Sequence, residues 1–578
     1  LKKRAIPILA AVVLIVIVAV IGITTKIIEK YMPTDERMDL KQYFKVEQDD
    51  ELALVLQNQV VENKGRIYDG VAYIDYDTIR NYLNPRFYWD KYENILIYTT
   101  PTDSINVEVG KKDYSVSKAK ASENYTIVKV DGDKTYVAAE FVQKYTNMDF
   151  ELFTEPNRLV IQYIWGKEKS AEVKKTDEIR FQGGVKSPIV ASAAKGDKLT
   201  VLEELDNWTK VVTDDGCIGY IPSKKLSSIK EEEKSREFEE FVYTSLTKDT
   251  KINLVWHAVS TMDANNTLLD MISNTKGLTT IAPTWFTVSD SNGNINSLAD
   301  NNYVTNAHAQ GLEVWGVVTD FSDQFDININ EILPYTSKRE NLTNQLIAAA
   351  INYNLNGINI DFEKIALNLE GDDVKAAGDA YIQFIRELSI KCRKNGIILS
   401  IDNPVPQPYN SFYNRKEQGI VADYVINMGY DEYYDGSPEP GPVASLSFVR
   451  DSIEANLEEG VPANKLINAM PFYARIWTKG PNENGEEALT SIAVGMDEVN
   501  RILAENNAEK NWSEDTSTYY AEYESEDGVK KTMVWVEEEE SIDLKAQLVK
   551  EFQLGGVASW RLGLERSSIW DIIIKYVN

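Results

Sequence analysis

Asn356-Gly357-Ile358-Asn359-Ile360-Asp361-Phe362-Glu363 is the stretch on which the reading of this chain turns. Its residues alternate, and strand geometry puts Asn359, Asp361 and Glu363 on one face with Ile358, Ile360 and Phe362 on the other. Taken alone, Asp-x-Glu would equally suit a half-exposed antiparallel strand with solvated acids. Its surroundings favour another setting. From residue 249 to residue 578, strand-like apolar runs at 252–259, 279–283, 314–318, 357–362, 397–401, 424–428, 465–470 and 556–560 alternate with helix-like stretches. Eight parallel strands in βα order predict an α/β fold, a (β/α)8 TIM barrel, with an insertion between about 475 and 534. In a barrel the apolar face of the quoted strand meets the helices and the polar face points inward. Buried carboxylates there need hydrogen bonds or a function. Interaction between Asp361 and Glu363 would keep a proton on one of them near neutral pH, as a general acid requires.

The rest of the chain narrows the class. At 578 residues it is too long for one core, and roughly 150 residues per domain suggests about three or four units. With 61 basic against 90 acidic residues the net charge is −29, which repels the phosphate backbone, so no nucleic-acid partner is expected. Two histidines, His257 and His308, and two cysteines, Cys217 and Cys392, argue against a zinc or iron site, and no metal or cofactor is expected. The cysteines fall in different segments and read as free, buried thiols. Lys2, Lys3 and Arg4 precede an apolar run over 5–23, so residues 1–30 read as a transmembrane anchor. A cleaved signal peptide is the competing reading, but no good small-x-small site follows the run. An anchored chain would be a single-pass protein of the cell membrane with its catalytic domain outside.

Between the anchor and the barrel, residues 45–165 hold a diverged duplication: Tyr73, Phe87 and Leu96 recur 63 positions later as Tyr136, Phe150 and Leu159. Each copy reads as a helix-like stretch followed by a β-rich one, an α+β module. It resembles a duplicated module of bacterial wall proteins named for copper amine oxidase N-terminal domains. The name implies no copper, since neither histidine lies there. Residues 177–228 show short β-like runs separated by turns, with Trp208 and Gly219-Tyr220-Ile221-Pro222, and resemble a bacterial SH3-like domain, a small β-barrel that in that family binds wall peptides. Trp208 and Tyr220 suit a ligand groove or the small core equally. The charged run 229–248 reads as a solvated linker or exposed helix.

The quoted stretch resembles the Asp-Gly-x-Asp-x-Asp-x-Glu signature of glycoside hydrolase family 18, the chitinase-like family. The departures are Asn356 and Asn359, which stand where the general signature has Asp. Asn at 359 resembles the branch containing spore-cortex and other peptidoglycan N-acetylglucosaminidases. The resemblance implies a retaining mechanism in which the substrate's own acetamido oxygen is the nucleophile, so only one catalytic carboxyl is needed. It implies that Glu363 is the acid and base, that Asp361 orients the acetamido group, and that Tyr430 in Met428-Gly429-Tyr430-Asp431 hydrogen-bonds its carbonyl. Asn359, together with Tyr473 and Arg475 of Pro471-Phe472-Tyr473-Ala474-Arg475, would line the sugar site, and Trp560 would floor it. Trp256, Trp285, Trp315 and Trp535 are read as further sugar subsites or as core. The expected partner is peptidoglycan or a chitin-like polysaccharide, with the membrane reached through the anchor. A silent wall-binding lectin on the same barrel is the alternative of another class, and retention of Glu363, Asp361 and Tyr430 argues against it.

Overall fold

The computed structural model describes the backbone of residues 2–577 and the side chains of residues 12–26 and 30–577. The chain forms two compact units: residues up to Trp89 with Asn106–Glu240, and Asp90–Ile105 with the chain from Phe241 onward.

In the first unit, the strand Val71–Asp75 and a helical turn at 76–83 have counterparts in the strand Lys134–Ala138 and the helix Ala139–Tyr145. The leading strands of the two copies pair antiparallel, Tyr136 opposite Asp75, within one seven-stranded sheet. A second seven-stranded sheet contains Asp177–Arg180, Ile189–Ala193, Lys198–Glu204, Trp208–Val212 and Ile218–Pro222 around a core that includes Ile179, Val201, Val211 and Ile221. Trp208 and Tyr220 are each half-buried. The expected linker departs from expectation: Lys230–Lys234 is an edge strand of this second sheet, paired antiparallel with Gly166–Glu172. Its charges suit an edge, where Lys167 meets Glu231 at 3.5 Å and charged side chains discourage pairing with other molecules. Cys217 and Cys392 are free and buried.

The expected membrane anchor over 1–30 needs correction. The backbone forms the helix Lys2–Tyr31, but among the described residues no helix is long and apolar enough to cross a membrane. The remainder of that expectation, at residues 1–11 and 27–29, lies outside the described side chains.

The second unit is the barrel. Its strands are β1 (Ile252–His257), β2 (Thr280–Pro283), β3 (Glu313–Thr319), β4 (Gly357–Asp361), β5 (Ile398–Pro404), β6 (Tyr424–Met428), β7 (Leu466–Pro471) and β8 (Gly556–Trp560). Each is parallel to its neighbours, β1 pairs with β8, and β2 pairs with both β1 and β3, which closes the ring. All eight expected strands are present. The interior packs Leu254, Trp256, Trp315, Val317, Ile426, Ala469 and Ala558. Outside, Phe362 stacks on Phe384 of the helix Asp372–Lys394, with centroids 5.6 Å apart. Gly357 opens β4 because a Cβ there would lie 2.7 Å from the Trp315 ring.

The helix Thr336–Asn352, which feeds β4, lacks a cap from its own flanking residue. Asp90 supplies one from far away in sequence, its Oδ2 accepting from the Thr336 N–H at 2.7 Å and hydroxyl at 2.6 Å. The insertion after β7 is a five-stranded antiparallel sheet running from Tyr473–Pro481 to Lys531–Val536, with the helix Met496–Glu505 and a core of Ala474, Ile476, Val499, Leu503 and Val534.

Candidate active site

At the C-terminal mouth of the barrel, β4 ends at Asp361, and Glu363 follows on the loop with its side chain exposed. Asp361 is half-buried, and its Oδ1 is shielded from water with no partner in the protein. Burial raises Asp361 well above the ordinary carboxylate range, and the carboxylates of Glu363, Asp402 and Asp320 raise it further. Glu363 is also raised, first because the mouth of the barrel strips solvent from its carboxyl although the residue as a whole is exposed, and then by the Asp431 carboxylate, while its interaction with Asp361 pulls the other way. Two adjoining carboxyls held this way retain a proton between them above the usual carboxylate range.

Asn359 does not join this pair. It is fully buried and saturated: its Oδ1 accepts from Trp256 Nε1 at 3.0 Å, and its Nδ2 donates to Ser400 Oγ at 2.9 Å and Asp402 Oδ1 at 2.7 Å. The expected sugar contact from Asn359 would have to come from an amide that is fully buried and already bonded at both Oδ1 and Nδ2. Its amide instead ties the strand ends of β1, β4 and β5 beneath the site. Asn356 also works between strands, its Oδ1 accepting from the Val314 N–H at 2.9 Å.

Tyr430 follows β6, half-buried, packed with Trp560 against the barrel core. Burial raises its phenol well above its ordinary value, with Tyr473, Asp361, Asp402 and Glu363 adding to the effect. The Tyr430 and Tyr473 rings meet edge to face at 6.4 Å, and Tyr473 Oη donates to Asp431 Oδ1 at 2.6 Å. Arg475 Nη1 donates to Ser491 Oγ at 3.1 Å and its Nη2 lies 3.9 Å from Asp431, while its buried Nε has no partner. Trp560, at the end of β8, is half-buried beside Trp256 at 6.0 Å. Trp256, Trp285 and Trp315 are core. Trp535 is half-buried in the insertion sheet, against Tyr520.

Three residues of this site went unread in the sequence. Asp320, one residue past β3 and fully buried, accepts the backbone N–H of Glu363 at 2.9 Å and of Lys364 at 2.9 Å. Asp402, on β5, is buried against Asn359, and burial raises it well above its ordinary value. Tyr413 Oη donates to the Phe362 carbonyl at 2.9 Å. The available signal for the two acids was position: each sits at or just past the C-terminal end of an apolar barrel strand.

Comparison with known proteins identifies the family of the barrel. The family model for glycosyl hydrolases family 18 matches residues 256–565, and that for the bacterial SH3 domain matches residues 176–227. An uncharacterized glycosylase of Bacillus subtilis is 27% identical over 296 residues, 50% of this chain and 81% of the relative. The cortical fragment-lytic enzyme of the same organism is 28% identical over 279 residues, 47% of this chain and 61% of its own length. Among solved structures, the spore cortex-lytic enzyme of Bacillus cereus superposes with a TM-score of 0.50 at 21% identity, over 57% of this chain and 75% of that one, a likeness of fold. The family model covers more than half of the chain and every barrel strand except the first residues of β1. The protein is a glycosidase, and the chain belongs to glycosyl hydrolases family 18.

Proposed function

We propose that the protein is a retaining, substrate-assisted glycosidase that cleaves β-1,4 bonds next to N-acetylglucosamine in cell-wall peptidoglycan. The observation that carries the mechanism is the shielded, unpartnered Oδ1 of Asp361 beside Glu363. A buried acceptor without a partner is costly, and the N–H of a substrate acetamido group would satisfy it. Asp361 interacts directly with the acid, so it is not a free second carboxylate set across the sugar, as the two-carboxylate schemes require.

The steps follow from the residues. Glu363 gives its proton to the glycosidic oxygen as the C1–O bond breaks, and the acetamido carbonyl oxygen attacks C1 to form an oxazolinium ring. Asp361 accepts the acetamido N–H and stabilises the ring's positive charge. Tyr430 Oη donates to the acetamido oxygen and aligns it for attack. Glu363, now a carboxylate, takes a proton from the water that opens the ring at C1, so configuration is retained and the acid is restored. Trp560 presents an apolar face beneath the sugar, while Tyr473 and Arg475 flank it through Asp431. Asn359 serves below the sugar as a support for Trp256 and Asp402.

Peptidoglycan is favoured by the cortical fragment-lytic relative and by the SH3 match in the same chain. The modules are read as 45–165, 177–228 and 249–578. Chitin is the second reading, supported by the 22% identity to chitinase A1 of Niallia circulans over 274 residues. Reducing-end analysis of digests separates them: wall sacculi should release new N-acetylglucosamine ends faster than chitooligosaccharides are cut, and the reverse order would favour chitin.

The pH profile carries a signed expectation. The Asp431 charge helps Glu363 to hold its proton. Asp431→Asn removes that charge, so the proton leaves at lower pH, and the alkaline limb of kcat/KM should move down the pH scale. An unmoved limb would contradict the arrangement.

A further inference from the structure

Glu363 lies two residues beyond the last residue of β4, and its side chain is exposed, so the sheet ladder does not set its position. An acid that must meet one glycosidic oxygen needs another restraint. Two side chains grip the peptide that carries it. Tyr413 Oη donates to the Phe362 carbonyl, and the two oxygens of Asp320 accept the successive N–H groups of Glu363 and Lys364, both at 2.9 Å.

We propose that Asp320 is a positioning residue of the glycosidase reaction: its buried carboxylate clamps the backbone at Glu363 and Lys364 and so fixes where Glu363 presents its proton. The inference rests on the reading of Glu363 as the acid. Asp320 is fully buried at the end of β3, and the loop it grips hangs from β4, so the clamp bridges two adjacent strands at the mouth of the barrel. The ionisable groups that face it are Glu363 and Asp361 on the β4 side, Tyr381 on the helix Asp372–Lys394 and Tyr413 on the turn Pro408–Tyr413. Among the described residues no ion pair involves Asp320; burial pushes it up to about 7, and backbone N–H groups counter. A carboxylate kept in that setting without an ion-pair partner is costly, and its two charge-assisted bonds both go to the peptide of the acid. Its negative charge also helps Asp361 to hold a proton.

The test measures Asp320→Asn and Asp320→Glu beside Glu363→Gln on purified wall. An Asn oxygen can take one of the two N–H groups, and its NH2 opposes the other. Asp320→Asn should therefore lower kcat by about 10- to 100-fold with KM within about twofold. Its alkaline limb should shift to lower pH, because a charge that holds the shared proton is gone. Asp320→Glu keeps the charge and displaces the oxygens by one methylene. It should lower kcat with the alkaline limb in place, and it carries the test alone if the Asn variant does not fold. Wild-type kcat in either variant would overturn the clamp. So would a loss proportional to the unfolded fraction with the pH profile unchanged in Asp320→Asn, the signature of a purely structural role. Wild-type activity in Glu363→Gln would overturn the reading of the acid and the clamp with it, whereas an inactive Glu363→Gln beside unaffected Asp320 variants would overturn the clamp alone.

Discussion

Glu363→Gln should lower kcat on purified cell wall by about 1000-fold or more, with KM little changed and the fold intact. Gln is close to Glu in shape, and the Glu363 side chain is exposed, so the substitution fills no cavity and leaves the clamp from Asp320 to the backbone N–H in place. What it removes is the proton that converts the leaving sugar oxygen into a neutral hydroxyl, and later the base that activates water. Both half-reactions use this one group, so neither step can bypass the loss. Leaving groups with a low pKa need little proton assistance. An aryl glycoside of N-acetylglucosamine should therefore lose much less rate in forming the oxazolinium than wall does. Equal losses on both substrates, or retained activity on wall, would contradict the role.

Asp361→Asn should have the next largest effect, about 100-fold in kcat. Here the loss is electrostatic. Asp361 is pushed well above its ordinary range by burial and by three carboxylates, and its unpartnered Oδ1 is placed to accept an acetamido N–H. An amide oxygen can still accept that bond, but it cannot develop the negative charge that balances the oxazolinium. Sign follows from the same interactions. Asp361 pulls Glu363 downward through their contact, so in Asp361→Asn the remaining influences on Glu363 are burial and Asp431, which hold its proton more tightly. The alkaline limb should survive, carried by Glu363 alone, while kcat falls at every pH. A limb lost altogether would show that Asp361 supplies the proton.

The barrel was legible because its eight strands announce themselves as apolar runs between helix-like stretches, and period-two alternation picked out the face of β4 that carries the acids. Asp361, Glu363 and Tyr430 were singled out by the same alternation and by the family motifs they resemble, and the structure sets all three at the ends of barrel strands. Asp320, Asp402 and Tyr413 were not, because each acquires meaning only from a neighbour on the adjacent strand or turn. Asn359 was read as a sugar contact. Alternation placed it on the inward face, but only the three-dimensional arrangement shows Trp256, Ser400 and Asp402 using every polar atom of its amide. The run 229–248 hid the strand Lys230–Lys234, since charge density masks the pattern of an edge strand. The N-terminal apolar run suggested a span that no helix among the described residues supplies.

The central claim is that the substrate's acetamido group is the nucleophile, oriented by Asp361 and Tyr430 beside the acid Glu363. The most direct measurement compares kcat/KM on intact wall glycan with the same glycan after removal of its N-acetyl groups, both with its peptides stripped. The account predicts a loss of about 1000-fold or more without the acetamide, because the attacking oxygen is gone. Comparable rates on the two glycans would contradict it and point to a nucleophile supplied by the protein.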